Sequence, residues 1–214
     1  MKSVKVNRDT ALKVFSLLEK QYPDARTELR YENPFQLLIA VILSAQCTDE
    51  RVNKTTPELF RRFRTANELG NATQAAVENL IRSCGFYRMK AKAIINTSKD
   101  LVERFGGKVP RTMDELTSLR GVGRKTASVV LNQAFDLPAI AVDTHVKRVS
   151  HRLGWAHHPN PEKIERELCE LIPKHLWSRV NSMLILHGRR LCKARKPLCP
   201  ECPVQEYCPY FLNR

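Results

Sequence analysis

The chain has 214 residues, with 36 Lys and Arg against 22 Asp and Glu, a formal charge of +14 and a pI near 9.7. Its 43% hydrophobic and 27% charged residues are those of a globular protein; no stretch approaches the ~18 apolar residues of a membrane span, and no apolar signal-peptide core follows Met1. These features argue against a membrane or secreted protein and predict a cytoplasmic one, where disulfides are rare, while the excess of positive charge points to a polyanion, nucleic acid first.

Apolar residues recur at helical spacing throughout, and no run alternates as a strand would, so the predicted fold is all-α. The first helix is expected from Asp9, as N-cap, to about Gln21, with Leu12, Phe15 and Leu18 on one face. Asn33-Pro34 opens a second, since Asn caps and Pro suits the first helical position. Phe35 to Ala45 is nearly all apolar and so predicts a central helix. Asp49 is expected to cap a third helix carrying Val52, Leu59, Phe60 and Phe63. Two more follow, one opened by Thr73 and one over Ala91 to Phe105 that ends at Gly106-Gly107; Gly85-Phe86-Tyr87 forms the turn between them. Cys47, Cys84 and Cys169 lie on or beside apolar stretches and read as small core residues.

Thr112-Met113-Asp114-Glu115 has the capping-box pattern and opens a short helix ending at Leu119. Arg120-Gly121-Val122-Gly123-Arg124 follows, then a helix over Lys125 to Phe135. Glycines on either side of Val122 permit positive φ and close approach. The N–H groups of such a turn, with the next helix N-terminus, form an anion site, to which Arg120 and Arg124 add charge. A helix-hairpin-helix of this kind grips phosphate without reading sequence.

Lys125 stands in the first turn of the second hairpin helix. A free lysine has a pKa of ~10.4, which must fall by about 2–3 for it to act as a nucleophile at neutral pH. Burial beside Ala127 and Val129 would have to supply most of that. On this basis alone a phosphate contact is the better reading of Lys125. Asp143, in Val142-Asp143-Thr144-His145, is an N-cap that the helix end keeps ionised. Beyond it, helices are expected over Thr144 to Leu153, from Pro161, and from Val180 to His187. Cys192, Cys199, Cys202 and Cys208 then form C-x6-C-x2-C-x5-C, with Lys193, Arg195 and Lys196 inside the first gap. Four clustered thiols in a reducing compartment suggest a metal site, and the spacing leaves zinc and an iron–sulfur cluster both open.

Leu119-Arg120-Gly121-Val122-Gly123-Arg124-Lys125-Thr126-Ala127, Val142-Asp143-Thr144-His145 and the cysteine spacing together resemble the endonuclease III family, DNA glycosylases and abasic-site lyases of the helix-hairpin-helix superfamily. The likeness extends from Asn33-Pro34-Phe35 through Leu43-Ser44-Ala45-Gln46 to Tyr207-Cys208. It implies a two-lobed all-α fold with a DNA cleft between the lobes. A six-helix barrel at roughly 26–138 would hold the hairpin of 112–135. Residues 1–25 and 139–214 would form the lobe holding a [4Fe–4S] cluster in the loop 192–208, with Cys192, Cys199, Cys202 and Cys208 as ligands.

The resemblance further implies that a damaged pyrimidine is flipped out of the duplex. Lys125 would attack the sugar, expel the base and form a Schiff base, and β-elimination would cut on the 3′ side. Asp143 would assist. Gln46 would fill the gap left by the flipped nucleotide, and Phe86, where a leucine is usual, would wedge against the opposite strand. Ser44, Asp49 and His145 match pocket positions. Arg120 replaces a usual proline, adding a charge and an N–H beside the phosphate path with Gly121, Val122, Gly123 and Arg124. Lys193, Arg195 and Lys196 would meet phosphate. Asn181-Ser182-Met183 stands where histidines and a tryptophan are common, so its effect on packing or substrate range is open. The expected partner is duplex DNA with damaged bases or abasic sites, bound by a monomer. The alternatives are a related glycosylase for a pyrimidine dimer or mispaired base, and a non-catalytic DNA-binding cluster protein.

Overall fold

The computed structural model describes residues 6–213, and these contain helices and turns but no strand. The chain divides into two compact units, Glu28–Asp136 and the paired segments Met1–Thr27 with Leu137–Arg214. Among the described residues no helix is long and apolar enough to cross a membrane.

Helix α1 (Arg8–Gln21) is capped by Asn7, whose side chain accepts the Thr10 N–H at 2.9 Å. Asp9, the predicted cap, lies in the first turn instead. The buried face of the helix is Ala11, Val14, Phe15 and Leu18, and Leu12 is only partly covered.

In the central unit, α2 (Pro34–Ser44) begins as predicted, with Asn33 accepting the Gln36 N–H and Pro34 in the first turn. Every residue from Phe35 to Leu43 is buried, so the other helices gather around it. α3 (Asp49–Arg62) is capped by Thr48 rather than Asp49, which sits in the first turn as its charge favours. α4 (Ala66–Gly70) is not anticipated by the apolar periodicity, yet Thr65 and Glu68 form a complete capping box there. α5 (Gln74–Ile81) follows Thr73. α6 (Tyr87–Phe105) starts four residues before the expected Ala91 and stops at Gly106, φ +58°. Next come α7 (Met113–Thr117) and α8 (Arg124–Phe135). At Thr112 the box is half made: its oxygen accepts the Glu115 N–H, but the Glu115 carboxylate returns to the Thr112 hydroxyl. α8 packs on α2 and α7, while α4 and α5 lie along α6.

In the other unit, α9 (Thr144–Arg152), α10 (Pro161–Leu171), α11 (Trp177–Arg190) and the short α12 (Pro209–Leu212) join α1. α11 starts three residues before the expected Val180. The unit's core gathers Val14, Leu18, Val146, Val149, Ile164, Leu168, Val180, Met183 and Leu184. Packing at Asn181-Ser182-Met183 is therefore complete. Met183 is fully buried, the Ser182 hydroxyl donates to the Ser178 carbonyl, and the buried Asn181 side-chain oxygen accepts the Ala141 N–H at 2.9 Å. That bond holds the segment leading to Asp143. α9 and α11 approach so closely that a Cβ on Gly188 would stand 3.0 Å from the His145 Cβ.

Candidate functional site

The hairpin turn rests on α6. Gly121 takes φ +87°, and a Cβ there would come 3.2 Å from the Ala93 Cβ, so glycine is required twice over. Val122 is buried and its N–H donates to the Leu119 carbonyl. Gly123 differs from expectation. Its φ is −91°, and a Cβ would meet nothing within 4 Å. Its bareness serves no internal packing and leaves the N-terminus of α8 open to solvent.

Arg120 also departs from the reading of a free phosphate donor. Its N–H donates to Asp100 Oδ2 at 2.7 Å, its Nε and Nη2 reach Asp100 Oδ1 at 2.8 and 2.5 Å, and its carbonyl accepts from Thr97 Oγ1 at 2.6 Å. The N–H is thus consumed inside the unit, while the side chain stays 54% exposed. Arg124 and Lys125 occupy the first turn of α8, both exposed. The chain's own packing near Ala127, which is buried, does not cover Lys125.

Two other predicted residues are brought together. Gln46 and Phe86 are both exposed and both left-handed, φ 52° and 56°. A Cβ on Gly85 would lie 3.7 Å from the Gln46 carbonyl oxygen, so the two loops adjoin. Non-glycine residues at positive φ cost about 1–3 kcal/mol each and persist where the surroundings impose them. Phe86 is 62% exposed and Met89, one turn on, 73%. Nearby, Ser44 donates its hydroxyl to the Val41 carbonyl, and Asp49 is half-buried.

In the unit of α9, Asp143 is the predicted cap. Its Oδ1 accepts the N–H groups of His145 and Val146, both at 2.8 Å, and its Oδ2 is 3.0 Å from His145 Nδ1. One carboxylate therefore starts the helix and orients the neighbouring imidazole. α9 also grips the cysteine loop. Arg148 Nε donates to the Cys192 carbonyl at 3.1 Å, and Arg152 donates to the carbonyls of Lys193 at 2.7 Å and Ala194 at 3.1 Å. Lys193, Arg195 and Lys196 stand exposed on that loop, Lys196 again at positive φ, 50°.

Cys192, Cys199, Cys202 and Cys208 line one cavity with Val149, Leu153, His187 and Leu198. Among the described residues no three His, Cys, Asp or Glu side chains converge as ligands of a single metal ion.

Residues 39–174 match the HhH-GPD superfamily of base excision DNA repair proteins, and 192–208 match the iron–sulfur binding domain of endonuclease III. Endonuclease III of Synechocystis sp. is 50% identical over 203 residues, covering 94% of this chain and 93% of that protein. The Escherichia coli enzyme is 42% identical over 205 residues, covering 96% and 97%. The chain belongs to the endonuclease III family. A solved endonuclease III trapped as a covalent intermediate with DNA superposes with a TM-score of 0.92 at 44% identity, covering 98% of this chain and 99% of that one. A non-covalent endonuclease III–DNA complex fits equally well. As a family member the chain is a base excision repair glycosylase and abasic-site lyase that binds DNA and carries a [4Fe–4S] cluster.

The cavity suits such a cluster. Burial and the neighbouring thiols raise Cys202 to about 11, and burial likewise pushes Cys208 up. Four thiolates are stable there only around a cationic core. N–H donors face the sulfurs, with Arg152 Nη1 3.3 Å from Cys192 Sγ and His187 Nε2 3.6 Å from Cys202 Sγ. His187 Nδ1 lies 3.2 Å from the Tyr22 hydroxyl, so one neutral tautomer serves both contacts. Burial keeps His187 neutral, lowering it to about 4, and raises Tyr22 to about 12. Tyr22, Arg152 and His187 are supporting residues that the sequence motifs do not single out. The Tyr22–His187 contact spans 165 positions, and no local pattern announces it.

Proposed function

We propose that this enzyme removes oxidised pyrimidines from duplex DNA and then cleaves the strand at the resulting abasic site, with Lys125 as nucleophile and Asp143 assisting. The observation that carries the reading is the pair Gln46 and Phe86. Two exposed, left-handed side chains on adjoining loops suit the filling of a vacated stack and the wedging of the opposite strand.

Lys125 is exposed until DNA covers it, so desolvation of its amine accompanies binding of the flipped nucleotide. Attack on C1′ forms a C–N bond, expels the base and leaves a Schiff base; loss of a C2′ proton then eliminates the 3′ phosphate. Asp143, whose carboxylate is fixed by the N–H groups of His145 and Val146 and by the His145 ring, stabilises the positive charge that develops on the sugar. Gly121, Val122, Gly123 and Arg124 hold phosphate at the hairpin, aided by the exposed part of Arg120, and Lys193, Arg195 and Lys196 hold it from the cysteine loop. Ser44, Asp49 and His145 are the candidate base-contacting residues. Cys192, Cys199, Cys202 and Cys208 hold the cluster, which serves as a structural clasp. The enzyme acts as a monomer in the cytoplasm, on damaged or abasic chromosomal DNA.

Borohydride trapping on a duplex carrying an oxidised pyrimidine, and on one carrying an abasic site, tests the reading. A covalent adduct forms with the wild type and none with Lys125→Ala. An adduct persisting in that variant would overturn the assignment of Lys125. Trapping on the abasic duplex with no release from oxidised pyrimidines would overturn the substrate.

A further inference from the structure

The unit Glu28–Asp136 carries a second concavity, away from the hairpin. A cavity of about 600 Å³ opens between the segment before α2 and the C-terminal half of α3, walled by Arg30, Tyr31, Glu32, Phe60, Arg61 and Arg64. Two helices fix its place. α2, 11 residues and so ~16 Å long, starts at the cavity and ends beside the Gln46 loop. The Tyr31 hydroxyl donates to the Gln133 carbonyl at 2.7 Å, in the last turn of α8, whereas the hairpin opens the first turn. Cavity and hairpin therefore lie at opposite ends of α8.

The walls are held in place. Asn53, on α3, accepts the Arg30 N–H and donates to the Glu28 carbonyl, both at 2.8 Å, which pins the Arg30 segment to that helix. Buried Gln36 accepts the Glu32 N–H at 2.9 Å and donates to Glu32 Oε2 at 3.2 Å. The other Glu32 oxygen accepts no hydrogen bond among the described residues. Arg61 is shared with Glu58, at 2.8 and 2.6 Å. Arg30 and Arg64 use only their backbone N–H groups, and their guanidinium groups have no hydrogen bond or ion pair among the described residues.

Three guanidinium groups around one concavity favour an anion. A bare phosphate or an acidic peptide would set its charge against Glu32 and leave the aromatic walls unused. A nucleotide uses every wall. We propose that this cavity binds a free nucleoside di- or triphosphate, at a site separate from the one that acts on DNA. Arg30 and Arg64, with Arg61, fork onto the phosphates. Glu32 accepts from the ribose hydroxyls, and Tyr31 and Phe60 meet the base. The volume falls within the ~300–1,000 Å³ of small-molecule sites. The site does not depend on the reaction proposed above.

Titration of the holoenzyme with ADP tests it. Expected is saturable one-to-one binding, unchanged when a duplex carrying an abasic analogue is already bound. Arg30→Gln and Arg64→Gln should each weaken ADP about tenfold or more, the scale of a lost charge-assisted hydrogen bond. Both should leave the melting temperature and single-turnover incision of an abasic duplex unchanged. Glu32→Ala should weaken ADP and leave inorganic pyrophosphate as tight or tighter, since only the nucleotide offers hydroxyls. No saturable ADP binding would overturn the proposal. Displacement of ADP by the duplex, or arginine variants that lose duplex and ADP together, would assign the arginines to the DNA surface and overturn it as well. ADP and pyrophosphate both tightened by Glu32→Ala would reduce the site to a general anion sink and overturn the nucleotide. Wild type that binds ADP but fails to incise would count against the proposed function and not against this site.

Discussion

Asp100 takes both the backbone N–H and the guanidinium of Arg120, so the residue opening the hairpin turn is pinned to α6 from two directions. Asp100 is almost fully buried, and the pairing holds its carboxyl below the usual carboxylate range, with the Arg120 side-chain hydrogen bonds first among the causes. A depressed carboxylate contributes stability that is present above its unfolded pKa of ~3.9 and is lost as pH falls through its lower folded value. Asp100→Asn should therefore melt below wild type at pH 7, by roughly 2–4 °C for a chain of this size. Thermal scans between pH 7 and pH 3 should show that gap closing at the acid end. A gap independent of pH would place the effect in packing and not in the charge.

The two hairpin glycines should separate folding from binding. Gly121→Ala forces a side chain into positive φ and against Ala93, and is expected to destabilise by about 1–2 kcal/mol. Gly123→Ala meets no neighbour and should leave the melting temperature within a degree or so. It should nevertheless weaken DNA binding, because the new methyl stands at the open end of α8. Denaturant titration and fluorescence anisotropy on the same two variants read the contrast directly.

Phe86 carries conformational strain with little burial in return. Phe86→Gly should thus stabilise the free protein by about 1 kcal/mol, the left-handed penalty less the added chain entropy, and still slow base excision in single-turnover assays. A variant that is both less stable and equally active would show that the side chain serves the fold.

The cysteine loop should act through charge. Lys193→Glu or Lys196→Glu is expected to lower affinity about tenfold at low salt and to flatten the salt dependence by about one phosphate contact or more per substitution. Cluster absorbance should be unchanged, because both side chains are exposed to solvent and neither supplies a sulfur.

What the sequence determines by itself is whatever a few neighbouring residues decide. The all-α class follows from periodicity. Asn33-Pro34, Gly106 and Asp143 act within one helical turn, so each of these helix ends is written locally. The capping errors are instructive. Asn7 and Thr48 are themselves preferred N-cap residues and accept the cap hydrogen bonds, while Asp9 and Asp49 fall in first turns that favour their charge. The four-cysteine spacing is local too, which makes the cluster loop legible in the linear chain.

Tertiary structure decides everything that distant packing imposes. Left-handed backbone at Gln46 and Phe86 is disfavoured by their own side chains, and their two loops adjoin in the folded chain. Arg120 reads as a free cation until Asp100, twenty residues earlier, consumes its N–H. The sequence leaves the burial of Lys125 undecided, and in the folded chain it faces solvent. The four clustered cysteines have Arg152, His187 and Tyr22 around them. Such pairings follow from how helices stack in space, and a linear pattern records only neighbours along the chain.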